Sequence, residues 1–173
     1  VEGTGAAIYS VDFADLSGSG IKDLVVSWQA STNVHRLGVY SLEHHTAEEL
    51  LPQEGGEQEK ETGHHYPEAT ELMSTTYSGY SLLDMDQDTR MELAVVRIDS
   101  AGTNSRMELY GWADSGLTQL GTARLSAGIT ALNDVRANFV EDNVRALYIT
   151  GTLMDASQTT DIVVWSKDRL VNL

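Results

Sequence analysis

The 173-residue sequence predicts an all-β chain of about three four-stranded antiparallel units. Three observations lead there. Short apolar runs alternate with polar turns, and fifteen glycines against two prolines suit many short strands better than long helices. A polar, oxygen-rich loop running straight into an apolar β-type run occurs at 83–96 and again, in the same frame, at 14–26, with an eroded third copy at 137–149. The spacing after each loop also repeats: Tyr40 lies 25 residues after Asp15, Tyr110 lies 26 after Asp84, and Trp165 lies 27 after Asn138. A unit that cannot bury its own face must stack on its neighbours, and this repeat of about four strands has the size of a propeller blade.

Taken in order, Ala7, Ile8, Tyr9, Val11 and Phe13 read as an inner strand entering the first loop, and 21–28 as the strand leaving it. A polar turn at 29–36 precedes a strand at 37–42, and a further hairpin leads to 49–51. The second unit follows the same course: inner strand 79–83, strand 93–98, turn 99–106, strand 107–112, hairpin 113–116, strand 117–120 and an outer strand at 122–125. In the first unit the outer strand falls at 71–75, after an inserted loop of about sixteen residues, 52–67, that lacks apolar periodicity. The units are therefore 1–51 with 68–76, then 77–125, then 126–173. The third unit, with an inner strand at 129–135, is expected to end at Leu173 before any fourth strand. Such an arc leaves two apolar flanks to be covered, by blades from missing sequence or by another chain.

The second loop carries the most specific chemistry. Asp84, Asp86, Asp88 and Glu92 stand at relative positions 1, 3, 5 and 9, and a tight loop can turn alternate carboxylates inward. The backbone carbonyl of Arg90, at position 7, completes a set of hard oxygen donors for which calcium is the first expectation. An EF-hand is excluded, because positions 6 and 12 hold Thr89 and Val95 instead of Gly and Glu and the following run is strand-like. The alternative is an Asp-rich turn whose carboxylates only accept bonds from backbone amides. The first loop keeps Asp15 and Asp23 at positions 1 and 9 but has Ser17 and Ser19 at 3 and 5. In the third, Asn138 and Asp142 alone keep oxygen-bearing side chains, and Ala146 cannot ligate.

These loops resemble the FG-GAP/VCBS family of β-propeller repeats, whose blades carry an Asp-x-Asp-x-Asp-Gly-x-x-Asp-Leu loop before an apolar strand. The resemblance covers nearly the whole chain outside the inserted loop. It implies a propeller fragment of about three blades, with Asp84, Asp86, Asp88, Arg90 and Glu92 as the strong calcium site. Gln87 and Thr89 replace the usual glycines there, which strains the loop. In the first copy Gly18 and Gly20 match, and Asp15, Ser17, Ser19, Ile21 through its carbonyl, and Asp23 form a weak or empty site. The family also implies an extracellular or cell-surface scaffold, as in bacterial lipoproteins and adhesins, with any export signal or anchor outside this chain.

Eleven basic against twenty-six acidic residues leave a formal charge of −15, which disfavours nucleic acid and anionic lipid. There is no cysteine, hence no disulfide or thiolate chemistry. No apolar run approaches the length of a membrane span. His44-His45 and His64-His65, with Glu43 and Glu68, offer zinc-type donors but sit in hydrophilic sequence, where paired histidines are usually solvated. Trp28, Trp112 and Trp165 suit blade-to-blade packing better than a sugar-stacking surface. The leading expectation is a non-enzymatic calcium-binding module that binds a protein or glycan through loops on one rim. The alternatives are a polysaccharide lyase or hydrolase domain and a purely structural part of a larger surface protein.

Overall fold

A computed structural model describes residues 7–32, 34–41, 69–114 and 116–173. Within them the chain forms three four-stranded antiparallel sheets, each a meander in sequence order. The first contains β1 (Ala7–Ala14), β2 (Asp23–Ser31), β3 (Val34–Ser41) and β4 (Thr70–Thr76). The second contains β5 (Gly79–Leu83), β6 (Glu92–Arg97), β7 (Arg106–Ala113) and β8 (Gly116–Arg124). The third contains β9 (Ile129–Phe139), β10 (Arg145–Leu153), β11 (Gln158–Trp165) and β12 (Leu170–Asn172). A 3-10 turn, Glu141–Asn143, joins β9 to β10. The expected pairing of the two central strands is present, with Leu93 opposite Tyr110 and Val96 opposite Met107.

Three details differ from the sequence reading. The separate strands expected at 117–120 and 122–125 are one strand, β8: Leu109 pairs with Gly121 and Tyr110 with Gln119, so Leu120 is the extra residue of a bulge that bends the strand without ending it. The third sheet does have a fourth strand, because Leu170, Val171 and Asn172 pair with Trp165, Val164 and Val163. The third sheet's free face is also polar where an apolar flank was expected. Alternation along the strands turns Leu147 and Ile149 toward the second sheet and leaves Tyr148, Thr150, Thr160 and Arg136 around an open depression of about 310 Å³. The first sheet's free face is apolar as expected, with Val11 and Phe13 about half exposed and Val26, Trp28 and Tyr40 in a small cluster. The inserted loop at 52–67, the strand at 49–51 and the His44-His45, His64-His65, Glu43 and Glu68 group lie outside the described residues.

Packing centres on β6. Its residues 92–96 are all buried, and the alternation of a strand sends them to two different cores. Leu93 and Val95 join Leu16, Val25, Leu37 and Val39 of the first unit, while Ala94 and Val96 join Ile129, Leu147 and Ile149 of the third. Polar ties reinforce both contacts. Arg97 donates to Glu108 at 2.8 Å and also to Thr75 and Thr76, which binds β4 to the second sheet. Buried Asp161 accepts bonds from the Ser126 N–H and hydroxyl, while Asn172 bridges Asp161 to the Arg124 carbonyl.

Leu93→Ala should lower unfolding free energy in urea by about 2–5 kcal/mol, since Leu93 is fully buried between two sheets. Met154→Ala, at a side chain 74% exposed, should change it by less than about 0.5 kcal/mol. Equal effects at the two positions would contradict the stacked arrangement.

Candidate metal centre

The β1–β2, β5–β6 and β9–β10 connections lie side by side on one rim. The Met91 N–H donates to the Asp15 carbonyl at 3.3 Å, and Gln87 Nε2 donates to the Asn143 carbonyl at 3.3 Å. The acidic loop of the second sheet is thus held from both sides by its counterparts.

The first two loops share one internal scaffold. Asp23 Oδ2 accepts the Leu16 N–H at 3.2 Å, and Glu92 Oε2 accepts the Met85 N–H at 2.6 Å. Ser17 and Ser19 hydroxyls accept the N–H groups of Ser19 and Ile21, and the carboxylates of Asp86 and Asp88 accept those of Asp88 and Arg90 at the same positions. The backbone agrees as well: Gly18 and Gly20 have φ of 75° and 84°, and their counterparts Gln87 and Thr89 have 66° and 80°. The two missing glycines leave the loop conformation intact at the cost of placing side chains in the left-handed region, which is least favourable for a β-branched residue.

The two loops diverge at position 1. Asp15 accepts the N–H groups of Gly18 and Gly20, both at 2.8 Å, and is satisfied without an ion. Asp84 has no such bonds among the described residues. Its Oδ1 is buried without a partner, and its Oδ2 lies 4.0 Å from Arg145 of β10. Asp84, Asp86 and Asp88 each bring a carboxylate oxygen within 4.8 Å of the others. Glu92 is not part of that group; it is 3% exposed and committed to the Met85 N–H. Arg90 contributes more than its backbone: its guanidinium pairs with Asp88 and donates to the Trp112 carbonyl at 3.3 Å.

The electrostatics follow from this crowding. Burial, and then the nearby charges of Asp86, Asp88 and Asp84, push the Glu92 carboxyl up to about 7, against the lowering effect of the Met85 N–H. Burial also raises Asp86, with Asp88 and Asp84 adding to the shift, whereas the Arg90 hydrogen bond holds Asp88 below the ordinary range. In the first loop, burial raises Asp23, while the Leu16 N–H opposes it. The third copy has a different geometry: β9 runs through Asn138, whose side chain accepts the Phe139 N–H, and Asp142 occupies the 3-10 turn at φ 59°. Sequence reasoning missed Arg145 and Asn143, since contacts between repeats leave no mark in the spacing within one. Trp28 is buried in the first sheet and Trp165 packs on the core of the third.

No family model, curated protein or solved structure matches the chain. The chain has a repeat-like, all-β architecture of three four-stranded antiparallel sheets.

Two measurements check the loop. Thr89→Gly should stabilise the protein by about 1 kcal/mol, because glycine accepts positive φ without a steric penalty; a loss of stability would contradict the shared loop conformation. A carboxyl whose folded value exceeds its unfolded one stabilises the folded state at low pH, and that contribution is lost as pH rises. In chelator, the melting temperature should therefore fall between about pH 4.5 and about 7 through Glu92, and Glu92→Gln should flatten that slope.

Proposed function

We propose that this chain is a non-enzymatic, calcium-binding module of a β-propeller belonging to an exported or cell-surface protein, and that it binds a protein or glycan partner. The observation that carries the cation reading is the convergence of Asp84, Asp86 and Asp88 around a buried carboxylate oxygen that has no partner. A buried acceptor without a donor is costly, and like charges at this separation oppose one another. Bound calcium supplies the missing positive charge and takes oxygen donors of this kind. Asp84, Asp86 and Asp88 are the residues suited to hold it, joined by the Arg90 carbonyl, while Glu92 braces the loop through the Met85 N–H. The Arg90 guanidinium neutralises part of the cluster by pairing with Asp88 and so competes with the cation.

The blade reading draws support from a consistent orientation. Position 11 of each copy, Val25, Ala94 and Tyr148, turns to the side of the following sheet, and position 10 in the second and third copies, Leu93 and Leu147, faces the preceding one. Further blades from elsewhere in the protein or from another chain would continue the same stacking.

Calorimetric titration with calcium should show one site, and chelation should lower the melting temperature. Binding to the folded state alone is worth about 2.7 kcal/mol at one hundred times the dissociation constant. Asp86→Ala should abolish most of that difference and Asp15→Ala should leave it in place, because Asp15 is already satisfied by backbone amides. Arg90→Gln should tighten calcium binding by removing the competing charge. No heat of binding at millimolar calcium, together with unchanged melting in chelator, would reduce the loop to an acidic turn.

A further inference from the structure

The rim opposite the acidic loops carries a second feature, which is independent of the cation site. Four rings follow one another there: Tyr9 and His35 at 5.0 Å between centroids, His35 and Tyr77 at 6.1 Å, and Tyr77 and Tyr80 at 5.6 Å. They come from β1, β3, the β4–β5 link and β5, so strands of two sheets contribute to one run. This end of the sheets lies away from the loops because Gly79, at the start of β5, pairs with Val96 at the far end of β6.

Two grooves meet at Tyr77 and Ser78. One, of about 260 Å³, is bordered by His35, Thr76 and Arg97. The other, of about 350 Å³, is bordered by Tyr80, Asn133 and Asp134. The two grooves adjoin there, one bordered by residues of the first and second sheets and the other by residues of the second and third. Core packing accounts for the rings only in part: Tyr77 and Tyr80 lean on the core between the first and second sheets and the Tyr80 hydroxyl is held by Ser10 and Asp12, but Tyr9 is 54% exposed, and neither the His35 imidazole nor the Tyr77 hydroxyl has a side-chain hydrogen-bond partner among the described residues. Aromatic side chains with an apolar face and an uncommitted polar tip are suited to a ligand that is itself part apolar and part polar.

We propose that these adjoining grooves bind an uncharged oligosaccharide, with sugar-ring C–H faces against Tyr77 and His35 and sugar hydroxyls on Ser78, Asn133 and Asp134. The charge pattern favours a neutral ligand. The chain carries −15, Asp134 in the groove is paired with Arg136, and the bordering Arg97 is held by Glu108, Thr75 and Thr76, so both arginines are already committed to other groups. The inference rests on the binding-module reading and names the ligand class and surface.

The test is an array of neutral oligosaccharides of glucose, mannose and galactose, followed by titration calorimetry with the hexasaccharide bound best. At least one should bind, and Tyr77→Ala should weaken it by about tenfold or more, the loss expected for a central aromatic contact. Tyr77→Phe should retain most of the affinity. Asn133→Ala, at an exposed position where it removes one surface hydrogen bond to Thr152, should weaken binding severalfold, and Asp86→Ala should leave it unchanged. No binding to any member at millimolar concentration overturns the proposal, whatever the calcium titration shows. Binding that survives both Tyr77→Ala and Asn133→Ala also overturns it, while leaving the binding-module reading in place.

Discussion

A strand whose consecutive residues all point into apolar surroundings needs cover on both faces, and β6 sets that condition for the whole assembly. Leu93 and Val95 require one sheet, and Ala94 and Val96 require another. An antiparallel sheet standing alone can leave one face to water, but the second sheet cannot. The order of the three sheets, the side each presents to the next and the shared rim for their first connections all follow from satisfying this one strand. The ties from Arg97 to β4 and from Asp161 to the β8–β9 link lie where neighbouring sheets meet, so polar groups also fix the relative position that the apolar contacts permit.

At the rim, the same stacking places acidic groups in surroundings they would not choose as an isolated loop. Met91 bonds back to Asp15, and Gln87 reaches Asn143, so the loop of Asp84 is wedged between its neighbours. Confinement keeps three carboxylates converged and one oxygen dry, and it raises the proton affinity of Glu92. The first loop shows the contrast: serines replace two carboxylates, glycines supply the amides that satisfy Asp15, and little charge is left to neutralise. Two loops of one frame thus reach different electrostatic states through a few side chains.

The opposite rim has a different character. There Tyr9, His35, Tyr77 and Tyr80 gather near strand ends, with Ser78 and Asn133 beside them, and the grooves lie between sheets instead of within one loop. A division between a charged rim and an aromatic one places two kinds of chemistry on one set of meanders, at opposite ends of the same strands.

Much of this was legible along the chain. Alternation and turn composition determine strands, the loop frame determines which residues sit at ligand positions, and the recurrence determines that the units stack. The positive φ values at Gln87 and Thr89 were foreseeable from the glycines at the same positions of the first copy. Other features were decided by tertiary structure, because they depend on groups far apart in sequence. Leu120 reads as the end of a strand, yet the pairing of β8 with β7 makes it a bulge. Leu170 to Asn172 are too few to announce a strand, and β11 supplies the partner that makes them one. Arg145 beside Asp84 and the joining of Tyr9, His35, Tyr77 and Tyr80 into one run arise between units. A repeat encodes its own strands and loop within its period, whereas the contacts that distinguish one copy from another form only when the copies meet.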